Sequence, residues 1–481
     1  MKKNSTNRNI IKEDGKPKNR EIYVTIGFFS VLFMVMIGYL CMYTTQNKRE
    51  LFDNSYNSRQ YQLAAINSRG DILDRNGNVL AQTVNTTEGE VRNYPYANLF
   101  AHAVGYSTKG RSGVEAIANY DLMNSNISMS EKIDNELAGR KNPGNTVTTT
   151  FDAEIQQVVY NALGVYRGAA VVTNVKTGEI LAMVSKPDYD PNTILEDWES
   201  LIADKENSVL LNRSTQGIYP PGSTFKIITS LEYMKEHKND INSYHFSCHG
   251  RFTYANTTIQ CYHGTVHGEE SFTTSFAKSC NSSYANVGVN LNRDKFGNTL
   301  DSLLFNSELP LQYPYSQSVL QVDDSISDDE MIQVAIGQGK AQITPIHLNL
   351  ITCAIANDGI LMEPQVIKEV TSDNGDVLSS FKPKTYGRLL SSEESQILSD
   401  IMTEVVEKGT ATRLQNDLYQ AAGKTGSAEY DGLKEDSHAW FTGFAPADDP
   451  EIAVTIIIEG IGSGGDYAVP IAKRIFDAYF E

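Results

Sequence analysis

From Ile22 to Thr45 the chain reads IYVTIGFFSVLFMVMIGYLCMYTT, with no charged side chain. A helix needs about 20 apolar residues to cross the hydrocarbon core of a bilayer. The run therefore predicts a transmembrane anchor over 22–45. The first 20 residues carry Lys2, Lys3, Arg8, Lys12, Lys16, Lys18 and Arg20, against only Glu13 and Asp14. Basic flanks stay on the cytoplasmic side. That makes residues 1–21 a cytoplasmic tail and sends the rest of the chain outside, as a single-pass protein of the cell membrane. A cleaved signal peptide is the alternative. Its apolar core would be about 7–15 residues long and end at a small-residue cleavage site. Thr44-Thr45-Gln46-Asn47-Lys48 matches that poorly.

The chain has 481 residues, 40% of them hydrophobic, which is too long for one ordinary domain. Two extramembrane domains are expected. Lys and Arg total 41 against 59 Asp and Glu, for a net charge of -18. So acidic a chain is a poor candidate for nucleic-acid binding. Residues 46–143 are polar and weakly periodic. Within them, 67–81 predicts extended segments around an Asn76-Gly77 turn. Lys141-Asn142-Pro143-Gly144 is turn chemistry and a plausible boundary. Residues 144–481 have a different texture. Asp152–Tyr166 predicts a helix with Ile155, Val158, Val159, Ala162 and Leu163 on one face. Ala169–Asn174 and Ile180–Ser185 predict a hairpin, and Ile452–Ile458 a buried strand. A last helix carries Ile471, Ala472, Ile475, Phe476, Tyr479 and Phe480 on one stripe. The fold class is α/β, an antiparallel sheet flanked by helices, above a small N-terminal pedestal and one transmembrane helix.

Three short motifs carry chemistry. In Tyr219-Pro220-Pro221-Gly222-Ser223-Thr224-Phe225-Lys226 the prolines stop whatever precedes them, and a helix continues from Ile227. Ser223 then lies near a helix N-terminus, where unpaired N–H groups favour developing negative charge. Lys226 follows one turn later on the same face. A serine hydroxyl needs a neighbouring base, and a lysine serves if burial lowers its pKa. Alone, this pattern also describes a capping serine and a solvated lysine. Ser279-Cys280-Asn281 offers a proton relay and a peptide-holding amide; alone it is a polar loop. Lys424-Thr425-Gly426-Ser427 places a lysine on an extended strand, and Gly426 admits a substrate backbone alongside it. Alone it is a Gly-rich turn. Occurring together and in this order, the three form the S-x-x-K, S-x-N, K-T-G set of penicillin-binding proteins and serine β-lactamases.

The chain resembles a class B penicillin-binding protein from the anchor to the C-terminus. Arg69-Gly70-Asp71-Ile72-Leu73-Asp74-Arg75-Asn76-Gly77 is similar to the opening motif of that family's N-terminal domain. Gly113-Val114-Glu115 with Tyr120 resembles its G-L-E motif. Residues 178–192, Gly337-Gln338-Gly339 with Thr344-Pro345, and His438-Ala439-Trp440-Phe441 also match. The short pedestal resembles the small PbpA-like members. No glycosyltransferase segment fits upstream, which excludes the bifunctional class A. The resemblance implies a penicillin-binding transpeptidase domain, similar to the serine β-lactamases, acting on peptidoglycan stem peptides. It makes Ser223 the nucleophile and Lys226 its base. Ser279 and Lys424 pass a proton to the leaving amine. Asn281 orients the donor peptide, and Lys424 with Thr425 grips its terminal carboxylate. The N–H groups of Ser223 and Ser427 form the oxyanion hole. It further implies acylation by β-lactams and a membrane glycan polymerase of the SEDS type as partner. No cofactor is required by this chemistry.

Five cysteines remain to be placed. Cys41 lies in the anchor and Cys353 in the apolar run ITCAIA. Cys248, Cys261 and Cys280 lie near His249, His263 and His267. One reading is a Cys248–Cys261 disulfide, ordinary for an extracellular protein. The other is a structural zinc held by Cys248, Cys261, His267 and Cys280, with His263 as rival ligand. Some elongation-type members of the family resemble the second, holding zinc beside the S-x-N motif.

Rival functions are a class D β-lactamase, which shares Ser-Thr-Phe-Lys, a β-lactam sensor, and a non-catalytic scaffold for a glycan polymerase. The β-lactamase would be about half this length and needs a deacylating base not evident here. The sensor needs further membrane helices and a cytoplasmic output domain. The scaffold leaves the three motifs unexplained.

Overall fold

The computed structural model describes residues 19–47, 51–52, 59–238, 240–429 and 437–481. The tail over 1–18 lies outside them. The chain forms two units, residues 1–62 and 63–481. The first contains α1 (Arg20–Gln46). Among the described residues it is the one helix long and apolar enough to span a membrane. Its threonine hydroxyls are satisfied within the helix: Thr25 Oγ1 donates to Glu21 O, Thr44 Oγ1 to Leu40 O and Thr45 Oγ1 to Cys41 O. A bilayer demands this, since it offers no water to spare groups. The helix fits a membrane anchor.

In the second unit a six-stranded sheet forms the pedestal. Its strands run in the order Val377–Ser380, Ile367–Thr371, Thr146–Thr149, Ile72–Leu73, Val79–Thr86, Gly89–Asn93. The sheet thus takes strands from both sides of residue 143. The Asn76-Gly77 turn is present: Asp74 Oδ1 accepts the N–H groups of Asn76 and Asn78, and Ile72 pairs with Ala81. The R-G-D and G-V-E segments meet in an ion triplet. Arg69 Nε donates to Glu115 Oε2 at 2.5 Å, and Arg92 Nε to Oε1 at 2.7 Å. Gly70 is needed because a Cβ there would run into Asn145 O.

The upper part is built from α2 (Ala153–Leu163), β1 (Gly168–Asn174), β2 (Ile180–Lys186), α3 (Lys226–Glu236), α4 (Phe272–Ala277), α5 (Asn281–Asn290), α6 (Pro345–Ala356), β3 (Ala422–Glu429), β4 (Ser437–Ala445), β5 (Ile452–Ile458) and α7 (Gly464–Phe480). The sheet order is β3-β4-β5-β1-β2, antiparallel throughout. Every residue of β5 is buried, as a strand covered on both faces must be. α6 is wholly buried and largely apolar, with His347, Asn349 and Thr352 as its polar side chains. Its one amide, Asn349, accepts from Thr173 Oγ1 at 2.6 Å and donates to Thr455 Oγ1 at 3.3 Å. The stripe on α7 buries Ile471, Ala472, Ile475 and Phe476 and half-buries Tyr479 and Phe480. In α2, capped by Asp152, Ile155, Val159, Ala162 and Leu163 are buried and Val158 is half-buried. The fold puts β3 at a sheet edge, and that edge builds the site.

Candidate active site

Ser223 sits in a single 3-10 turn, Gly222–Phe225, which runs straight into α3. The turn lies against β3. Gly222 has φ +54, and a Cβ there would stand 2.7 Å from Ser427 O. A Cβ on Gly426 would stand 2.9 Å from Pro221 O. Gly426 is therefore explained by the close approach of the chain's own serine turn, not only by room for a substrate strand.

Ser279 follows α4 with φ +58. Its N–H donates to Phe276 O at 3.0 Å and the Cys280 N–H to Ser275 O at 2.9 Å. These two bonds make a Schellman motif, in which the left-handed position is ordinarily glycine. A serine there costs about 1–2 kcal/mol. Cys280 then caps α5, with Sγ accepting from Ser283 N. S-x-N is thus a tight corner between two helices, not a loose loop, and Ser279 is aimed by its backbone.

The motifs converge. Lys226 Nζ donates to Asn281 Oδ1 at 2.7 Å, Ser279 O at 2.8 Å and Ser279 Oγ at 3.2 Å. Lys424 Nζ stands 3.0 Å from the same Oγ and 3.1 Å from Thr425 O. Ser279 Oγ therefore has an amine on each side. Both lysines are fully buried. Burial pushes Lys226 down to about 8, the Cys280 and Cys261 thiols pulling the other way. Burial, and then Lys226, hold Lys424 well below the ordinary lysine range. Each amine also faces a ring, Tyr284 at 5.3 Å and Phe276 at 5.4 Å. Thr425 Oγ1 lies 2.5 Å from Thr410 Oγ1. Asn281 Nδ2 donates to Gln260 O at 3.1 Å.

Two cavities open on Ser223. One of about 520 Å³ is lined by Arg251, Gln260, Asn281, Gln338, Ser427 and Glu429, among others. The other, about 360 Å³, is lined by Ser279, Asn281, Thr410, Arg413, Thr425 and Ser427, among others. A serine between two clefts, with buried amines of depressed pKa alongside, is suited to transfer an acyl group from one bound molecule to another. Thr410, Gln260 and Arg413 were not singled out from the sequence. No local pattern distinguishes them; only the fold brings them to the cleft.

The three remaining cysteines lie together beside the Ser279 corner. Cys248, Cys261 and Cys280 are free and buried. Cys248 Sγ and Cys261 Sγ are 3.7 Å apart, Cys261 Sγ and Cys280 Sγ 3.8 Å, and Cys248 Sγ and His267 Nδ1 3.4 Å. A disulfide needs about 2.05 Å. Thiolates around a tetrahedral zinc, at about 2.3 Å each, stand about 3.8 Å apart. The four ligand atoms all lie within 4.8 Å of one another, so the set fits a closed zinc site. His263 is exposed and lines the larger cavity instead.

The chain shares sequence and fold with known proteins. Residues 168–477 match the family described as the penicillin binding protein transpeptidase domain, and residues 69–147 the penicillin binding protein A dimerisation domain. It is 30% identical to the peptidoglycan D,D-transpeptidase PbpA of Mycolicibacterium smegmatis, over 90% of this chain and 91% of that one. It is 28% identical to stage V sporulation protein D of Bacillus subtilis, over 82% of this chain and 64% of that one. Among solved structures, the ceftriaxone acyl-enzyme of penicillin-binding protein A from M. tuberculosis superposes with a TM-score of 0.79. It shares 26% identity and covers 87% of this chain and 100% of that one. A D,D-transpeptidase domain from Eggerthella lenta gives 0.77 at 30% identity, covering 85% and 97%.

Proposed function

This chain belongs to the class B penicillin-binding proteins, and from that premise we propose how its own residues carry out peptidoglycan D,D-transpeptidation. Ser223 Oγ attacks the carbonyl carbon of the penultimate D-Ala of a donor stem peptide, and its proton passes to Lys226 Nζ. Charge gathers on the carbonyl oxygen, which the backbone N–H groups of Ser223 and Ser427 receive. The C–N bond to the terminal D-Ala breaks. Its nitrogen takes a proton delivered through Ser279 Oγ, which lies between Lys226 and Lys424. The donor is left as an ester on Ser223. An amine of a second stem peptide attacks that ester, its surplus proton returns by the same path, and Ser223 regains its hydroxyl. Lys424 and Thr425 hold the donor's terminal carboxylate. Asn281 has one amide N–H on Gln260 O and its oxygen on Lys226, which leaves its second N–H to hold the donor backbone. A β-lactam enters the same path: its ring amide opens on Ser223 and the ester persists.

The observation that carries this reading is the meeting of Lys226, Lys424 and Ser279 Oγ beside the Ser223 turn. Intact-protein mass spectrometry with benzylpenicillin tests it. One drug mass per chain is expected for the wild type and none for Ser223→Ala. Drug hydrolysis without a stable adduct would make it a β-lactamase, and neither adduct nor hydrolysis would leave a scaffold.

A zinc ion at Cys248, Cys261, His267 and Cys280 would be structural, bracing the corner that carries Ser279. Its test is a zinc-sized mass excess in the native spectrum that disappears on denaturation; a lasting two-hydrogen deficit would mean a disulfide instead. The basic residues ahead of α1 support a cytoplasmic N-terminus and an extracellular catalytic domain. A SEDS-type polymerase partner would engage the anchor and pedestal, and co-purification from membranes with and without those segments tests that.

A further inference from the structure

Ser223 is delivered to the cleft by Tyr219-Pro220-Pro221-Gly222, a segment that must be held from outside because its two prolines cannot donate hydrogen bonds. Besides the local bond from Thr224 Oγ1 to Pro221 O, its backbone is tied to distant parts of the chain at three points. Tyr219 exchanges two hydrogen bonds with Ile343, at 3.1 and 2.9 Å. Trp440 Nε1 donates to Pro220 O at 3.0 Å. The Gly222 N–H donates to Gly337 O at 2.9 Å. The only side chain of the segment able to donate is the Tyr219 phenol, and it donates to Glu459 Oε1 at 2.7 Å.

Glu459 stands one residue beyond β5. The same Oε1 accepts from Arg213 Nε at 2.7 Å, and Oε2 accepts from Arg167 Nε at 3.1 Å. Arg213 is itself buried and locked, its other nitrogens donating to Ser208 O and Asn207 O. The Tyr219 ring is thereby fixed edge-on to His438 at 5.5 Å and to Trp440 at 6.1 Å. Those residues of β4 pair with Ala428 and Gly426 of the K-T-G strand. One carboxylate thus connects the serine turn to the sheet that carries Lys424. Burial and Glu459 hold the Tyr219 phenol far above its ordinary pKa, so it remains a donor.

We infer that Glu459 is a positioning residue for acyl transfer, setting Ser223 against β3 through the phenol of Tyr219. This rests on Ser223 being the nucleophile. The connection matters because a misplacement of about 1 Å can cost about a hundredfold in rate. A release of the phenol alone, with the three backbone ties intact, should cost less, about tenfold.

The test is stopped-flow acylation of the full chain in detergent by benzylpenicillin. Its concentration dependence separates the binding constant from the acylation rate constant. Tyr219→Phe keeps the ring and the Glu459–Arg213 pair; Glu459→Gln keeps the acceptor shape; the double variant joins them. Expected is a fall of about tenfold in the acylation rate constant for each. The binding constant should stay within about twofold, end-point labelling at one per chain, and the double variant no slower than the slower single one. Additive losses in the double variant would overturn the inference that Glu459 acts through Tyr219. An unchanged rate constant with a lowered melting temperature would reduce the network to a brace. A raised binding constant alone would make it a recognition feature and overturn the proposal as well. Ser223→Ala is the control for the premise: persistence of the adduct in that variant would sink the nucleophile assignment, whatever the Tyr219 and Glu459 variants do.

Discussion

The pedestal and the cleft each draw a pair of cations out of water, Arg69 with Arg92 almost wholly and Lys226 with Lys424 completely. In the pedestal both guanidiniums close on Glu115. Burial alone would raise that carboxyl, but Arg69 and then Arg92 outweigh it and hold it below its usual range. The triplet stays charged and acts as a fastener. In the cleft the two amines donate to neutral oxygens, those of Ser279, Asn281 and Thr425. Among the described residues no carboxylate bonds either amine, burial outweighs the rings and thiols nearby, and both pKa values fall. Taking cations out of water therefore yields a rigid joint where a carboxylate is supplied and a base where it is withheld.

Supplying that carboxylate should abolish the difference. Asn281→Asp places one where Oδ1 now lies, 2.7 Å from Lys226 Nζ. Lys226 would then be held protonated. Acylation by benzylpenicillin near neutral pH should fall by about 10²–10⁴, the usual worth of a general base. The loss should diminish as pH is raised. A loss of equal size at every pH would mean that Asn281 matters for donor binding and not for the state of Lys226.

The converse change is Glu115→Gln. It strands two buried guanidiniums, and breaking such a pair costs about 3–5 kcal/mol. Urea unfolding should register that loss, while the acylation rate per folded molecule stays at the wild-type value. A matching fall in acylation would show that the pedestal reaches the cleft.

The pH profile of the wild type sharpens the contrast further. The base works in its neutral form, and Lys226 is pushed down to about 8. Acylation should rise with pH up to about 8 and level off above it. The rate at pH 7 would be about a tenth of the plateau, one unit of pH being a factor of ten. Measured second-order acylation constants that stay flat from pH 6 to 9.5 would remove Lys226 as the titrating base.

Much of this was legible in the chain. The apolar run, the Asn76-Gly77 turn, the helix after Asp152 and the buried strand at Ile452 are local patterns, and local patterns survive folding. The three motifs were legible because their residue types are rare in that order. What escaped was whatever depends on distant pairing. Ile367–Thr371 joins the pedestal sheet from far along the chain. Glu459 meets Tyr219 across the molecule. His267, the ligand preferred from the sequence, stands with Nδ1 3.4 Å from Cys248 Sγ, while its rival His263 is exposed. Gly426 looked like room for a substrate, yet a Cβ there would meet the chain's own Pro221 O first.

Ser279 carries the smallest and most discriminating test. Its φ of +58 belongs to a position that suits glycine, while its hydroxyl serves the two amines. Ser279→Ala and Ser279→Gly both remove that hydroxyl, so both should lose transpeptidation and acylation alike. They differ in the backbone. Alanine keeps the Cβ that crowds the left-handed conformation, and glycine relieves it, by about 1–2 kcal/mol. The glycine variant should therefore be the more stable of the two by about that amount, read from paired urea or thermal unfolding curves. Equal stabilities would mean that the corner relaxes out of the left-handed region once the hydroxyl is gone. In that case the hydroxyl's bonds to Lys226 and Lys424 hold the backbone in place, rather than the helix cap aiming the hydroxyl.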